Sequence, residues 1–135
     1  MAKWLLKSEP DAWSWDQQVS KGTEFWNGVR NHQAALNLKH MAVGDQAFFY
    51  HSNIGREIVG IVTITQAATL DPTDPKGRFV GVHVTADKPL PRAVTLEQIK
   101  KTPALQDIAL IRQSRLSVMP ISDAHWNMLC SMGGM

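Results

Sequence analysis

The sequence predicts a single α+β domain, residues 1–135, built around a small mixed β-sheet that is curled or closed. Two observations carry this prediction. Five or six strand-like segments occur along the chain, and the helical segments do not alternate with them in a regular strand–helix–strand order. The composition is 44% hydrophobic and 19% charged, which is globular and sufficient for one core in a chain of 135 residues.

The first half of the chain mixes strand and helix signals. "KWLLK" predicts a first strand, which Pro10 stops, and Ser14 with Gln17 forms a capping box for a short helix that ends near Gly22. The segment 31–41 has the apolar spacing of a helix, and Gly44-Asp45 turns the chain after it. The predicted elements are therefore a strand at 3–7, a helix from 14 to 22, a helix at 31–41 and a strand at 46–52.

The second half is richer in strands. "EIVGIVTITQA" is long and β-branched, and "FVGVHVTA" alternates apolar and polar residues. Between them, "DPTDPKG" (71–77) predicts a turn-rich loop. Thr95 and Ser122 are helix N-cap candidates, the first with Gln98 as its capping-box partner. The predicted elements are strands at 57–67, 79–86 and 115–120, a helix from 95 to 101 and a terminal helix after 122.

Charge and cysteine content set few limits on function. The formal net charge is +2, which is compatible with a polyanionic partner without requiring one. The single cysteine, Cys130, excludes an internal disulfide. No apolar run has the length of a membrane span and no signal peptide pattern opens the sequence, so we expect a cytoplasmic, monomeric protein without a membrane partner.

Motifs for catalysis and metal binding are missing. The sequence has no phosphate-cradling glycine-rich loop and no nucleophile elbow. Its five histidines have no recognised metal-ligand spacing, so neither a metal nor another cofactor is expected. Adjacent residues of a strand point to opposite faces, so His51 and Ser52 cannot act directly as base and nucleophile. The sequence therefore predicts a protein that is not an enzyme.

Polar side chains concentrate at four element ends, where a rigid scaffold can present them to a ligand. These ends are "LKSEP" (6–10), "WNGVRN" (26–31), "FYHSN" (49–53) and "RQSRLS" (112–117). If the sheet curls, all four can converge on one mouth. Each of them is also compatible with ordinary turn chemistry, with Gly28 in a tight bend and Arg112 and Arg115 as surface charges.

Several motifs together resemble the EVE domain family. They are "KSEP", the long block "WNGVRNHQAALNLKHMAVGDQAFFYHSN", then "VGIV" and "ALIRQSRLSVMPI", and they cover essentially the whole chain. The resemblance implies a PUA-like fold, a small β-barrel flanked by helices, related to YTH and ASCH domains. It also implies binding of nucleic acid that carries a modified base: modified cytosine in DNA, or modified RNA.

Trp26 is the central candidate of the implied base pocket. It aligns with a tryptophan of the aromatic cage in the related YTH domain, and stacking of a base on an aromatic ring contributes about 1–3 kcal/mol. The alternative is a core tryptophan, which is the role expected of Trp4, Trp13, Trp15 and Trp126. Ser8 and Glu9 match positions of base-edge contacts, and a carboxylate at Glu9 would favour the exocyclic amine of cytosine or adenine. An internal ion pair of Glu9 with Arg30 or Arg115 is the alternative, as is pairing of either arginine with Asp45.

Further candidates follow from chemistry and position. Asn31 carries both donors and acceptors and is preferred over Asn37 for the pocket. Arginine suits bidentate phosphate contact and lysine acts as a point charge. The predicted base-binding residues are Ser8, Glu9, Trp26, Asn27, Asn31, Tyr50, His51 and Ser52. The predicted phosphate-binding residues are Lys7, Arg30, Arg112, Ser114 and Arg115.

The chain departs from the family pattern at Phe79, where relatives tend to carry a tryptophan after the "DP" loop. If that ring walls the pocket, the smaller Phe79 changes which modification fits. The predicted function is a non-catalytic reader that holds a flipped modified base, with modified cytosine in DNA as the expected ligand. The alternatives are a module for modified RNA, an enzyme acting on a modified nucleotide through His51 and Glu9, and a small-molecule or protein-interaction module.

Overall fold

The computed structural model describes all 135 residues and has the predicted α+β class. It contains six strands, five α-helices and one 3-10 turn at Pro103–Leu105. The strands are β1 (Lys3–Ser8), β2 (Thr23–Trp26), β3 (Gln46–His51), β4 (Glu57–Leu70), β5 (Val80–Thr95) and β6 (Val118–Ile121). The helices are α1 (Trp15–Lys21), α2 (His32–His40), α3 (Leu96–Lys100), α4 (Ala109–Arg112) and α5 (Asp123–Met132). No helix is both long enough and apolar enough to cross a membrane.

The strands form one sheet in the order β2-β5-β4-β3-β1-β6, in which only β1 and β3 are parallel. The sheet is strongly curled. Trp26 in β2 and Phe49 in β3 are three strand positions apart, about 14 Å in a flat sheet. Their ring centroids nevertheless lie 5.6 Å apart. The edge strands β2 and β6 do not pair with each other, so the sheet is an incompletely closed barrel with a seam between them.

The structure differs from the sequence prediction in several elements. The helix α4 and the 3-10 turn were not predicted, and β4 continues to Leu70 rather than ending at 67. The strand β2 was not predicted, because its four residues are too few for an alternating pattern. The strand β5 continues past Ala86 through two prolines, since the pairing with β4 shifts register there and leaves part of β5 out of the ladder. The last strand starts at Val118 rather than at 115, because a turn precedes it in which the Leu116 N–H donates to the Gln113 carbonyl.

Glycine and a buried carboxylate fix how the elements pack around the sheet. A Cβ on Gly60 would lie 2.5 Å from the ring of Trp15, so glycine at this position lets α1 lie directly on β4. Trp15 then meets the ring of Phe49 edge-on at 5.3 Å. At the other end of the barrel, the buried Asp45 accepts from the Trp4 Nε1–H at 3.0 Å. Asp45 is thus a partner of Trp4 and of no arginine.

Candidate nucleic-acid interface

A cleft of about 510 Å³ opens at the seam of the barrel. Its volume lies within the range of small-molecule and cofactor sites. The ends of β1 and β2 face each other across it, and the start of β6 closes one side. The lining residues, which we call the cleft, are Lys7–Glu9, Ala12, Trp13, Glu24–Arg30 and Ser117. Two of the four polar element ends expected to converge, 6–10 and 26–31, therefore do so, together with Ser117 from a third.

Two indole rings line the cleft, and they are held differently. Trp26 is 8% exposed and packs edge-on against Phe49, so the pocket and core alternatives both apply to this residue. Trp13 is half-buried, and its Nε1–H donates to Gln18 Oε1 at 2.9 Å. Gln18 is fully buried and donates in turn to the Gly22 carbonyl at 2.9 Å. The cleft wall therefore contains two indole rings whose orientations are fixed by packing and hydrogen bonding.

Sequence reasoning missed Trp13, which was assigned to the core. The available signal was its position, since it follows the polar end of β1 and directly precedes the α1 capping box. The backbone folds it back onto the cleft, because the N–H groups of Ala12 and Trp13 both donate to the Glu9 carbonyl, at 3.0 and 2.8 Å. The Ser8 hydroxyl donates to the Trp13 carbonyl and closes the same turn.

The Glu9 side chain is exposed in the cleft and makes neither a hydrogen bond nor an ion pair. The predicted alternative, an internal pair with Arg30 or Arg115, does not form. Asn27 is likewise exposed in the cleft, and its side-chain amide has no partner in the chain. The cleft thus presents a free carboxylate, which accepts hydrogen bonds, and a free amide, which both donates and accepts.

The 27–30 segment is fixed from below by Asp71, which is 1% exposed. Asp71 Oδ2 accepts from the Gly28 N–H at 2.8 Å, and Oδ1 accepts from the N–H and hydroxyl of Thr73. Gly28 has φ 77°, a backbone conformation that favours glycine. Burial alone would raise the pKa of Asp71, but the hydrogen bonds from Thr73, Gly28 and Arg30 hold it well below its ordinary value. The loop that sequence analysis treated only as turns is therefore a support for the cleft.

Arg30 is the ion-pair partner of Asp71, with Nη1 3.0 Å from Oδ2. Its Nη2–H donates to the Thr73 hydroxyl at 2.9 Å, and its guanidinium lies 5.4 Å from the centre of the Phe79 ring. Both predicted internal partners of Arg30, Glu9 and Asp45, were wrong. Phe79 is buried under this clamp and does not line the cleft, so its departure from the family pattern does not change the cleft wall directly.

A second depression of about 330 Å³ lies beside the cleft. We call it the arginine groove, and its residues are Asn31, Gln33 and Arg112–Leu116. Arg112 and Arg115 are exposed and form no ion pair. The predicted phosphate residues Arg112, Ser114 and Arg115 thus come together here. Asn31, predicted for the base pocket, lies in this groove instead, where its Oδ1 accepts from the Ala34 N–H at 2.9 Å and caps α2.

Lys7 connects the two sites. It lines the cleft, and its Nζ donates to the Ser114 carbonyl of the arginine groove at 2.8 Å. Burial lowers the pKa of Lys7. Asn37 donates to the Val118 carbonyl at 2.7 Å and so braces β6.

The structure does not bring Tyr50, His51 and Ser52 into the cleft, although all three were predicted there. Tyr50 is buried, and burial raises its pKa. His51 Nε2 accepts from the Trp15 N–H at 3.0 Å, so His51 holds the start of α1, and burial lowers its pKa. The Ser52 N–H donates to the Ser8 carbonyl at 2.9 Å. Tyr50 and His51 lie on the strand paired with β1, and Ser52 follows them in the next turn, so all three support the end of β1 without lining the cleft.

Comparison with known proteins agrees with this architecture. The model of the EVE domain family matches residues 2–132. Thymocyte nuclear protein 1 of zebrafish is 30% identical over 170 aligned positions, which cover 97% of this chain and 71% of that protein. The mouse protein of the same name is 31% identical, over 96% of this chain and 72% of its own length.

Solved structures extend the likeness to the fold. A Rhodopseudomonas palustris protein determined by NMR is 55% identical with a TM-score of 0.94, over 99% of this chain and 94% of its own. The crystal structure of human THYN1 protein in complex with 5-methylcytosine containing DNA has a TM-score of 0.95 at 27% identity, over 100% of this chain and 99% of its own. The PUA-like α+β fold is thereby confirmed, and the chain belongs to the EVE domain family.

Proposed function

We propose that this chain is a non-catalytic reader of modified cytosine in DNA, which holds one extruded base in the cleft. The observation that carries the proposal is the chemistry of the cleft lining. Two oriented indoles, Trp13 and Trp26, stand beside the unpaired Glu9 carboxylate and the unpaired Asn27 amide. A family member, the human THYN1 protein, has been crystallised with DNA containing 5-methylcytosine, which gives the proposal its ligand class.

The energetics of base extrusion match this lining. Taking a base out of a duplex costs a few kcal/mol of stacking and pairing. Stacking on an aromatic side chain returns about 1–3 kcal/mol per base, and hydrogen bonds to the base edge supply the remainder. A carboxylate accepts from the exocyclic amine of cytosine, whereas thymine presents a carbonyl that would leave two acceptors face to face. Glu9 therefore accounts for a preference for cytosine over thymine.

Phosphate contacts follow from the arginine groove. Arg112 and Arg115 have no internal partner, so their guanidiniums remain available to the nucleic-acid backbone. Arg30 is compensated by Asp71 and contributes less to that attraction. We assign the neighbouring phosphates to the arginine groove and the base to the cleft, with Lys7 at their boundary.

An enzymatic role has weaker support. His51, the histidine considered for acid–base chemistry with Glu9, does not line the cleft, and its Nε2 is engaged by the Trp15 N–H. A base that already accepts a backbone hydrogen bond cannot take a proton from a substrate without releasing α1. This arrangement favours recognition without reaction.

The test is a titration by fluorescence anisotropy with oligonucleotides of one sequence. The central position carries cytosine, 5-methylcytosine, 5-hydroxymethylcytosine, thymine or, in a matched sequence, N6-methyladenine, and each is made as DNA and as RNA. We expect tightest binding to DNA with a modified cytosine. Tightest binding to RNA would move the function to modified RNA, and equal binding to all oligonucleotides would overturn the reader. Mass spectrometry after incubation detects any chemical change, which would indicate an enzyme.

A further inference from the structure

The turn between β3 and β4, residues Ser52–Arg56, presents one unpartnered apolar side chain beside the cleft. Ile54 is 56% exposed and lies at the tip of this turn. Because β1 and β3 are parallel and Ser8 is in register with His51, the turn emerges at the same edge of the sheet as Ser8 and Glu9 of the cleft. The Ser52 N–H to Ser8 carbonyl bond of 2.9 Å ties the two together.

The turn is anchored at both ends. Besides the bond to Ser8, the carbonyl of Arg56 accepts from the Leu96 N–H at 2.8 Å, so the turn is fixed to the start of α3. Asn53 and Arg56 have φ of 71° and 50°, positions that non-glycine residues rarely adopt. Such conformations persist only where the surrounding structure determines them, and they concentrate at functional sites. The tip therefore holds a fixed position relative to the cleft.

The chemistry around Ile54 suits a nucleic-acid duplex. Arg56 is exposed and makes no ion pair, so a cation available to phosphate stands two residues from the apolar tip. Proteins that distort duplexes insert apolar side chains between base steps, where the side chain replaces lost stacking. When a base is extruded, it leaves a gap in the base stack of the duplex, and this gap lies next to the pocket that receives the base.

We propose that Ile54 is a wedge that enters the DNA duplex at the position vacated by the extruded base. This inference rests on the proposed reader function and adds to it the form of DNA that the protein reads: a paired duplex, which it opens itself. The cleft holds the base, and Ile54 stabilises the strand that the base has left.

The experiment compares Ile54→Ala with wild type on three DNAs of one sequence: a paired duplex with 5-methylcytosine, the same duplex with an abasic site opposite it, and the methylated single strand. In the paired duplex the wedge offsets the stacking that the extruded base has lost, so the affinity of Ile54→Ala should be roughly tenfold below that of wild type. The affinity of Ile54→Ala for the single strand should differ from that of wild type by less than twofold. Its loss of affinity for the abasic duplex should lie between the losses for the paired duplex and the single strand. Ile54→Met, which keeps an apolar side chain, should retain most of the duplex affinity.

Val43→Ala is the matched control. Val43 is also β-branched and 60% exposed, but it precedes β3 and so lies at the opposite edge of the sheet. It should bind all three DNAs as wild type does. Three results would overturn the wedge. Ile54→Ala could lose equal affinity for the duplex and the single strand, it could lose affinity for neither, or wild type could bind only single strands. Each of these results is compatible with a wild-type protein that still prefers 5-methylcytosine, so each would overturn the wedge and leave the reader function in place. A wild-type protein without that preference in any DNA would instead overturn the reader function, and the wedge with it.

Discussion

The cleft and the arginine groove lie side by side, but they are built in different ways. The cleft is formed by strand ends whose side chains are fixed from below by fully buried groups, Gln18 under Trp13 and Asp71 under the 27–30 segment. The groove is formed mainly by the connection from α4 to β6, with exposed arginines that no carboxylate holds. Recognition of a base needs fixed geometry, whereas attraction of phosphates needs only charge at the right distance. In the proposed function, the cleft therefore supplies specificity and the arginine groove supplies general affinity.

Substitution of Trp26 is the strongest test of the rigid construction of the cleft. The Trp26→Ala variant removes a ring that is 8% exposed and packed on Phe49, so we expect a loss of about 3–5 kcal/mol in the free energy of unfolding. Chemical denaturation measures it. Trp26→Phe should lose less, because it retains an aromatic ring in the core. An alanine variant as stable as wild type would mean that Trp26 faces the ligand only.

Asp71→Asn removes the charge that holds the cleft wall. We expect the free energy of unfolding to fall by about 3 kcal/mol, which is the lower end of the range for a broken buried ion pair. The loss is at the lower end because the remaining Arg30 side chain is 40% exposed and can be hydrated. Asp11→Asn is the control, since Asp11 is exposed and makes no hydrogen bond.

The lowered pKa of Asp71 also predicts how the stability of the protein depends on pH. Its folded-state pKa is lowered, so its contribution is complete above the unfolded-state pKa of about 4 and is lost as the pH falls below that value. The wild-type protein should therefore lose stability below about pH 4, and Asp71→Asn should lose less over the same range. Parallel pH profiles of the two proteins would contradict this role.

Substitution of Trp13 separates the loss of a ligand contact from the loss of core packing, because both tryptophans line the cleft but Trp13 is the more exposed. Trp13 is only half-buried, so Trp13→Ala should cost less stability than Trp26→Ala and should weaken binding of the methylated oligonucleotide by about 1–3 kcal/mol. Trp13→Phe keeps a stacking surface and loses the bond to Gln18, so it should fall between wild type and alanine. Normal binding by the folded alanine variant would remove Trp13 from the site.

Glu9→Gln tests base selection. The glutamine keeps the shape and adds a donor that thymine can accept, so the affinity ratio of 5-methylcytosine to thymine should fall about tenfold, equivalent to ~1.4 kcal/mol. The melting temperature should not change, because the Glu9 carboxylate has no partner in the folded chain. A lower melting temperature with an unchanged ratio would show that Glu9 is structural.

Arg115→Ala should give the smallest effect and should act on the groove alone. If about three phosphates are contacted, log affinity should fall with log salt with a slope near −2, and each lost contact on a single strand reduces it by roughly 0.7. Methylated and unmethylated oligonucleotides should weaken equally. A change in the methylation preference would break the separation between groove and cleft.

The sequence by itself determined the fold class, the starts of four of the five helices and many of the polar groups that line the cleft and the arginine groove. The capping boxes at Ser14 and Thr95 formed as predicted, because an N-cap bond depends on residues only three positions apart. The segment 26–31 was recognised for the same reason, since its polar residues are contiguous in the chain.

The tertiary structure decided which of those groups line one cleft. Curling of the sheet brought the ends of β1 and β2 together at the cleft and left Tyr50, His51 and Ser52 outside its lining, and no local pattern encodes that curvature. Asp71 supports the cleft through bonds to Gly28 and Arg30, which lie 43 and 41 positions away in the chain, so "DPTDPKG" could be recognised as turns but not as a clamp. Trp13 entered the site in the same way, because a buried glutamine five residues later fixes its ring and the rest of the barrel decides where that ring points. Local hydrogen bonds can be predicted from neighbours in sequence, whereas convergence on a site depends on packing between strands that are distant along the chain.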